Sequence, residues 1–153
     1  KKKGMKCFCI RCREPKQKRI EWSAVKLKKL CYEASQGQEI FLSYEDTKND
    51  LLLGFCRLRV PYKPYRPEIT PNTAGIRELH VYGPAVAVGK NTGAGIQHKG
   101  LGVQLMQEAE RIAQEEFDAK KMIVIAGIGA REYFKKKLGY KQDGIYVSKK
   151  IKE

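Results

Sequence analysis

The sequence is poor in the features that mark several classes of protein. Its 153 residues include only two His and one Trp, and no apolar run approaches the roughly 20 residues that a membrane-spanning helix needs. No apolar segment follows the basic N-terminus "KKKGMKCFCIRCREPKQKR", so we expect no secretory signal, no membrane contact and a cytoplasmic protein. Because the first residue is Lys rather than Met, the chain fits a piece of a longer protein.

Acidic residues are also scarce relative to basic ones. The chain has 31 Lys or Arg against 17 Asp or Glu, a net charge of +14, and its first 31 residues hold 12 of those cations against two Glu. Such a density favours a polyanionic partner, most plausibly nucleic acid; a solvated basic tail is the alternative. The candidate phosphate-contacting residues are Lys1, Lys2, Lys3, Lys6, Arg11, Arg13, Lys16, Lys18 and Arg19.

Cysteines number five, and an odd count without a secretory signal argues against a disulfide framework and for a reducing compartment. Three of them, Cys7, Cys9 and Cys12, form a C-x-C-x2-C pattern. Thiolates at this spacing converge at a tight loop and can chelate a soft metal such as zinc. Zinc needs a fourth ligand, for which Cys31 is the nearest further thiol. Free thiols in a flexible linker are the alternative.

The length fits a single domain, and 42% hydrophobic residues suffice for a core. Hydrophobic periodicity and turn residues predict the order α, β-hairpin, β, α, β, α, β, which is an α/β (α+β) domain with a mixed sheet. The predicted elements are a helix over 22–36, hairpin strands 39–46 and 51–60, a Pro-rich loop over 61–75, a strand over 76–88, an amphipathic helix over 101–117, a strand over 121–130, a helix over 131–140 and a strand over 144–151.

The stretch "QHKGLG", residues 97–102, leads directly into the predicted helix over 101–117. Gly100 and Gly102 lack a Cβ, so a ligand can approach the backbone closely. The first N–H groups of a helix have no intrahelical partner, and the helix dipole adds positive potential. A phosphate or pyrophosphate is the expected ligand. The spacing matches neither a Walker A nor a dinucleotide motif, and tight helix–strand packing is the alternative use of the glycines.

The pattern Q-x-x-G-x-G at a strand–loop–helix junction, followed by a strand and a short aromatic-bearing helix, resembles the GNAT acetyltransferase superfamily. In that family the loop holds the pyrophosphate of acetyl-CoA. A longer combination, "RELHVYG", "QHKGLG" and "EAERIA", resembles the acetyltransferase domain of the Elongator catalytic subunit family, the tRNA uridine(34) acetyltransferases. The resemblance runs from about Cys7 to Ile151 and includes the "CFCIRC" cluster.

This resemblance implies a GNAT fold over 21–153, with a mixed sheet flanked by helices, and a basic Cys-containing linker over 1–20. It also implies acetyl-CoA and tRNA as partners and carboxymethyl-type modification at carbon 5 of wobble uridine 34. Family members carry an N-terminal radical S-adenosylmethionine domain with a 4Fe-4S iron–sulfur cluster, which we do not expect here because "CFCIRC" lacks its C-x3-C-x2-C spacing. The alternatives are a protein lysine acetyltransferase and a non-catalytic acetyl-CoA-sensing, tRNA-binding module.

The resemblance also assigns site residues. The pyrophosphate loop corresponds to Gln97, Gly100, Leu101, Gly102, Val103 and Gln104, and the strand beside the pantetheine arm corresponds to Glu78, Leu79, His80 and Val81. Tyr133 and Phe134 stand where the family has a Tyr-Tyr pair, and the Tyr133 hydroxyl is the candidate donor to the thioester or the leaving sulfur.

Two of these candidates and one further histidine have chemistry that also follows from their position. Glu78 and His80 are two apart, so on a strand they share one side and could polarise or deprotonate a group near the thioester; a structural role is the alternative. His98 lies inside the glycine loop and is expected to position the backbone or meet a phosphate.

Overall fold

A computed structural model describes residues 4–83 and 100–151 of the chain. Its elements in chain order are β1 (Val25–Ala34), β2 (Gly37–Asp46), β3 (Leu51–Val60), β4 (Thr73–Val81), α1 (Leu101–Phe117), β5 (Lys121–Val124), α2 (Ile128–Leu138), β6 (Lys141–Asp143) and β7 (Tyr146–Lys150). The strands within these ranges form one mixed sheet in the order β1-β2-β3-β4-β5-β7-β6, and among them only β4 and β5 are parallel neighbours. The predicted fold class is confirmed.

The predicted helix over 22–36 is wrong. Trp22–Ala24 forms a single 3-10 turn, and β1 then pairs with β2 along its whole length, from Val25 opposite Asp46 to Ala34 opposite Gly37. The two turn residues between the strands have positive φ angles of 44° and 60°, which suits a tight hairpin whose twist matches its strands. The side chains of β1 are mostly exposed, so the apolar residues at helical spacing do not pack on a core. Backbone pairing with β2 decides the conformation instead.

The other predicted helices and strands are present in the structure, with shifted boundaries. The hairpin of β2 and β3 is confirmed, and the strand predicted over 76–88 runs over Thr73–Val81, with residues 84–88 outside the described ranges. The strand predicted over 121–130 ends at Val124, because Gly127 precedes the start of α2 at Ile128. The last predicted strand becomes β7, which pairs with the short β6.

Helix α1 supplies one side of the main core. Its predicted apolar face is confirmed, since Leu105, Met106, Ala109 and Ile112 have no exposed surface and pack over the sheet. Burying each large side chain of this kind stabilises the fold by roughly 1.5–3 kcal/mol. Among the described residues no helix is both long enough and apolar enough to cross a membrane.

Strands β4 and β5 stay paired for only a short distance. Thr73 to Ile76 of β4 lie opposite Lys121 to Val124 of β5. Beyond Ile76, β4 continues beside β3 as far as Val81, whereas the chain after Val124 leaves the sheet and enters α2. The two strands therefore part at their carboxyl ends, where ligands commonly bind in sheets with parallel strands.

Asp46 organises the end of β2. Its fully buried carboxylate accepts hydrogen bonds from the backbone N–H groups of Glu21 (2.8 Å), Lys48 (3.0 Å) and Asn49 (3.1 Å), and from the Asn49 side-chain amide (2.8 Å). Burial alone would raise the pKa of Asp46, but these hydrogen bonds outweigh it and hold the pKa below its ordinary value. The charged form is thus the one that the fold favours.

We predict that Asp46→Asn lowers the free energy of unfolding by about 1–3 kcal/mol at neutral pH, because an amide cannot accept all four bonds. A folded-state pKa below the unfolded value contributes stability above the unfolded pKa, and this stability is lost as the pH falls through the folded pKa. The variant should therefore lose less stability than the parent between about pH 6 and about pH 3 in urea titrations.

Glu33→Gln is the matched control, because Glu33 is an exposed carboxylate on β1. Equal acid sensitivity of the parent and Asp46→Asn would show that the Asp46 carboxylate does not contribute in this way.

Candidate functional site

A cavity of about 680 Å³ lies where the end of β4 meets the beginnings of α1 and α2. It is lined by Leu79, Val81, Gly100, Gly102, Val103, Ala130, Tyr133, Phe134 and Lys137. These residues come from three separate predicted segments, so the fold assembles most of the predicted cofactor-binding residues around one space.

One end of the cavity is the start of α1. Gly100 precedes the helix with a left-handed φ of 69°, and no side chain caps it. The first intrahelical bond is donated by the Gln104 N–H to the Gly100 carbonyl (3.1 Å). The N–H groups of Leu101, Gly102 and Val103 therefore have no acceptor within the helix. Together with the helix dipole, such a cluster suits a phosphate.

The two glycines differ in what they permit. A Cβ on Gly100 would meet nothing within 4 Å, so this position needs glycine for its left-handed backbone. A Cβ on Gly102 would lie 3.0 Å from the Tyr133 hydroxyl oxygen and 3.5 Å from Cγ2 of Val81. Gly102 therefore allows Tyr133 to approach the start of α1.

Tyr133 and Phe134, the aromatic pair on α2, have different roles. Tyr133 lines the cavity and is 37% exposed, and partial burial raises the pKa of its phenol, which keeps the hydroxyl protonated. Phe134 is buried in the main core with its ring edge-on to those of Tyr133 (5.4 Å between centroids) and Tyr140 (6.0 Å). Tyr133 can donate a hydrogen bond into the cavity, while Phe134 forms part of its wall.

The four residues predicted on β4 fall on two faces of the sheet. Leu79 and Val81 line the cavity, whereas Glu78 and His80 line another one, on the opposite face. This follows from the alternation of side chains along a strand. Glu78 also lines a small space of about 230 Å³ in the gap between β4 and β5, which it shares with Leu79. Glu78 and His80 do share one side, as predicted, and their catalytic role stays a prediction.

Lys137 is a residue that the sequence analysis missed. It lies four residues after Tyr133 on α2 and lines the same cavity, where an ammonium group suits a phosphate. Its i, i+4 spacing from Tyr133 within the predicted helix was the available signal, but only the fold shows that this face of the helix lines the cavity. Of the other predicted residues, Gln104 uses its side-chain oxygen to accept the Tyr44 hydroxyl (2.9 Å), and Gln97 and His98 lie outside the described residues.

The profile of the acetyltransferase (GNAT) family matches residues 10–140. This chain belongs to the GNAT acetyltransferase family. An acetyltransferase from Bacillus cereus has a similar fold, with a TM-score of 0.53 at 19% identity over 74% of this chain and 74% of its own. The GNAT family implies acetyl-CoA as the acyl donor.

More similar proteins are much longer than this GNAT domain. The tRNA uridine(34) acetyltransferase of Methanocaldococcus infernus is 50% identical over 98% of the chain and 29% of its own length. Elongator complex protein 3 of Saccharomyces cerevisiae is 44% identical over 97% and 28%. A solved structure of Methanocaldococcus infernus Elp3 with residues 1–46 deleted gives a TM-score of 0.86 over 97% of this chain and 36% of its own. The chain thus spans less than a third of these curated relatives.

The N-terminal segment, residues 4–20, carries a cluster of three exposed cysteines. The sulfur atoms of Cys7, Cys9 and Cys12 all lie within 4.8 Å of one another. Hydrogen bonds from the Cys12 backbone N–H and from the two other thiols lower the pKa of Cys9 to about 7, while donation to Cys9 raises the pKa of Cys12 to about 11. The predicted convergence of three sulfurs is what the fold produces.

Cys31 does not belong to this cluster of cysteines, contrary to the prediction. It is an exposed residue in the middle of β1, opposite Ile40. The error follows from predicting a helix here, because an extended strand carries Cys31 about 20 Å away from Val25.

Hydrogen bonds and ion pairs join the N-terminal segment to the end of the β2–β3 hairpin. Arg13 donates to Glu45 (2.6 Å) and Asp50 (2.8 Å), its carbonyl accepts the Leu52 N–H (2.7 Å), and Lys6 pairs with Asp50 (2.6 Å). Two predicted phosphate-contacting residues are thus engaged in ion pairs within the domain. Of the others, Arg11, Lys16, Lys18 and Arg19 are exposed, and Lys1, Lys2 and Lys3 lie outside the described residues.

We predict that Gly102→Ala weakens the binding of a non-hydrolysable acetyl-CoA analogue by about tenfold, or ~1.4 kcal/mol, because its methyl group displaces the Tyr133 hydroxyl. Gly129→Ala is the matched control, since a Cβ there meets nothing within 4 Å. Isothermal titration calorimetry in the parent and Tyr133→Phe backgrounds completes a double-mutant cycle. The loss should be smaller without the hydroxyl, and equal losses in both backgrounds would refute this steric explanation.

Proposed function

We propose that this chain is the acetyl-CoA-binding domain of an acetyltransferase that acts in the cytoplasm on carbon 5 of wobble uridine 34 of tRNA. The observation that carries the cofactor half is the cavity where the α1 amides, Tyr133 and β4 meet. The tRNA half is supported by the net charge of +14 and by the name that the Methanocaldococcus relatives carry at 50% and 52% identity.

The cavity residues fit acetyl-CoA in distinct parts. The N–H groups of residues 101–103 and the Lys137 ammonium would hold the pyrophosphate, as the donor chemistry of a helix start favours. The pantetheine arm would lie along Leu79 and Val81 of β4, and the thioester would reach the gap between β4 and β5. Acetyl-CoA supplies the acetyl group as an activated thioester. The protonated Tyr133 hydroxyl would donate a hydrogen bond to the thioester or to the departing sulfur.

The exposed cations fit a backbone-reading contact with RNA. Arg11, Lys16, Lys18 and Arg19 are exposed and would bind phosphates with strong salt dependence and little sequence information. We propose that residues 1–20 link the GNAT domain over 21–153 to a radical S-adenosylmethionine domain with a 4Fe-4S cluster. The share of the relatives that this chain leaves uncovered gives room for such a domain.

We also propose that Cys7, Cys9 and Cys12 bind Zn²⁺. A tetrahedral site with Zn–S bonds of about 2.3 Å needs sulfurs roughly 3.8 Å apart, which the mutual limit of 4.8 Å between these donors accommodates. The metal would supply a structural crosslink for the segment that Arg13 joins to the hairpin.

The function is tested by coenzyme A release from acetyl-CoA in the longer protein, with and without tRNA. We expect tRNA to stimulate release and added salt to suppress that stimulation, because the phosphate contacts are electrostatic. Tyr133→Phe should lower turnover by about 100-fold, whereas Tyr140→Phe, whose hydroxyl bonds Glu110 away from the cavity, should not. Acetylation of a peptide lysine without tRNA dependence would contradict the proposal. Binding of acetyl-CoA and tRNA without turnover would instead support a sensing module.

The zinc site is tested by metal analysis of the purified chain. We expect about one zinc per chain in the parent and its loss in Cys9→Ser, because two thiols hold the ion much more weakly than three. Cys31→Ser is the matched control and should retain the metal, since Cys31 lies outside the cluster of Cys7, Cys9 and Cys12. Zinc below about 0.2 per chain in the parent would count against the site.

A further inference from the structure

The face of the sheet opposite the acetyl-CoA cavity carries a second cavity, of about 390 Å³. We call it the ring cavity; it is lined by Ile10, Arg11, Glu14, Phe55, Glu78, His80 and Tyr82. Its volume lies within the range of about 300–1,000 Å³ that is usual for small-molecule sites. It is separate from the acetyl-CoA cavity, and no cysteine of the cluster lines it.

The wall of the ring cavity is a row of aromatic rings. Phe55 of β3 lies opposite His80 of β4 in the strand register, with ring centroids 5.7 Å apart. The His80 ring stands edge-on to Tyr82 at 4.5 Å, and Phe41 stacks behind Phe55 at 5.2 Å. Phe55 is almost fully buried, His80 is exposed and Tyr82 is partly buried. The exposed His80 ring therefore lies beside the buried Phe55 ring and is edge-on to Tyr82.

Polar groups of both signs surround these rings. Glu14 and Glu78 contribute carboxylates and Arg11 a guanidinium. Burial and the neighbouring negative charges raise the pKa of Tyr82, so its hydroxyl stays a hydrogen-bond donor. A uracil edge presents an N–H between two carbonyl oxygens, which a carboxylate and a pair of donors complement. Stacking on aromatic side chains combined with edge hydrogen bonds is how proteins hold unpaired RNA bases.

The ring cavity adjoins the cofactor site through one residue. Glu78 lines both the ring cavity and the gap between β4 and β5. That gap shares Leu79, Ala130 and Phe134 with the acetyl-CoA cavity. A base in the ring cavity would thus sit across β4 from the cofactor, with the gap between the strands joining the two sites.

We infer that the ring cavity binds the acceptor pyrimidine base of the RNA substrate, extruded from its strand, stacked on His80 and edge-on to Tyr82. This inference rests on the proposed function, since it assigns the acceptor side of the same reaction. The exposed cations Lys16, Lys18 and Arg19 follow the cavity residues Arg11 and Glu14 along the chain, so phosphates bound there would bring an RNA strand to the rings. The same exposed cations would repel a lysine peptide.

The test compares an RNA hairpin carrying uridine at one loop position with the same hairpin made abasic there. Removing the base should weaken binding to the parent chain by roughly tenfold. Tyr82→Leu and His80→Ala should bind the two hairpins equally, and Tyr82→Leu should keep the parent's affinity for the acetyl-CoA analogue. Tyr32→Leu is the matched control, because Tyr32 is an exposed ring on β1 outside the cavity, and it should discriminate as the parent does.

Equal binding of both hairpins by the parent, or undiminished discrimination by Tyr82→Leu and His80→Ala, would overturn the inference and leave the proposed function standing. If the parent binds neither the RNA hairpins nor the acetyl-CoA analogue, the proposed function is overturned as well. Should either variant fail to fold, the His80 ring protons of the parent give a second readout by NMR. Their shifts should move on titration with uridine monophosphate, and no movement, or equal movement with ribose 5-phosphate, would overturn the inference. Displacement of the uridine hairpin by a lysine peptide would assign the cavity to a protein substrate instead.

Discussion

The brief parallel pairing of β4 with β5 is the constraint on which the site depends. Four residues of each strand pair, ending with Ile76 opposite Val124. Strand β4 then continues beside β3, while the chain after β5 turns into α2 with Gly127 before its first residue. Had the two strands stayed paired, their backbone hydrogen bonds would close the gap beside Glu78 and Leu79. Their separation leaves a gap beside β4 in which an extended ligand arm can lie.

The two faces of the sheet have different physical characters. One packs on α1 and is apolar, whereas the other holds the almost fully buried carboxylate of Glu39 among the guanidinium groups of Arg77 (2.7 Å), Arg57 (3.5 Å) and Arg59 (3.7 Å). A buried carboxylate is tolerated when cations compensate it, and here the cations exceed it. The part of the second face around Glu39 therefore carries an excess of cations, while the rings lie beside charges of both signs.

The glycines before α1 show how two explanations of one motif can both hold. Close approach of a ligand and tight packing are alternative uses of a missing Cβ. Gly100 serves the left-handed entry into the helix and leaves open space, whereas Gly102 makes room for the Tyr133 hydroxyl. The packing of Tyr133 against the helix start holds a protonated phenol beside the free amide groups. One short motif thus positions both the anion-binding backbone and the candidate proton donor.

The sequence by itself determined the features that depend on neighbours along the chain. The apolar face of α1, the glycines at its start, the β2–β3 hairpin and the convergence of three thiols all follow from local spacing. Only the tertiary structure decided that residues 25–34 form a strand, that Cys31 lies apart from the other thiols and that Lys137 reaches the cavity. It also decided that Glu78 and His80 line a separate cavity, whose other walls come from Phe55 and from Ile10, Arg11 and Glu14 of the N-terminal segment. Each of these depends on pairing or packing with residues distant in sequence, and periodicity within one segment does not carry that information.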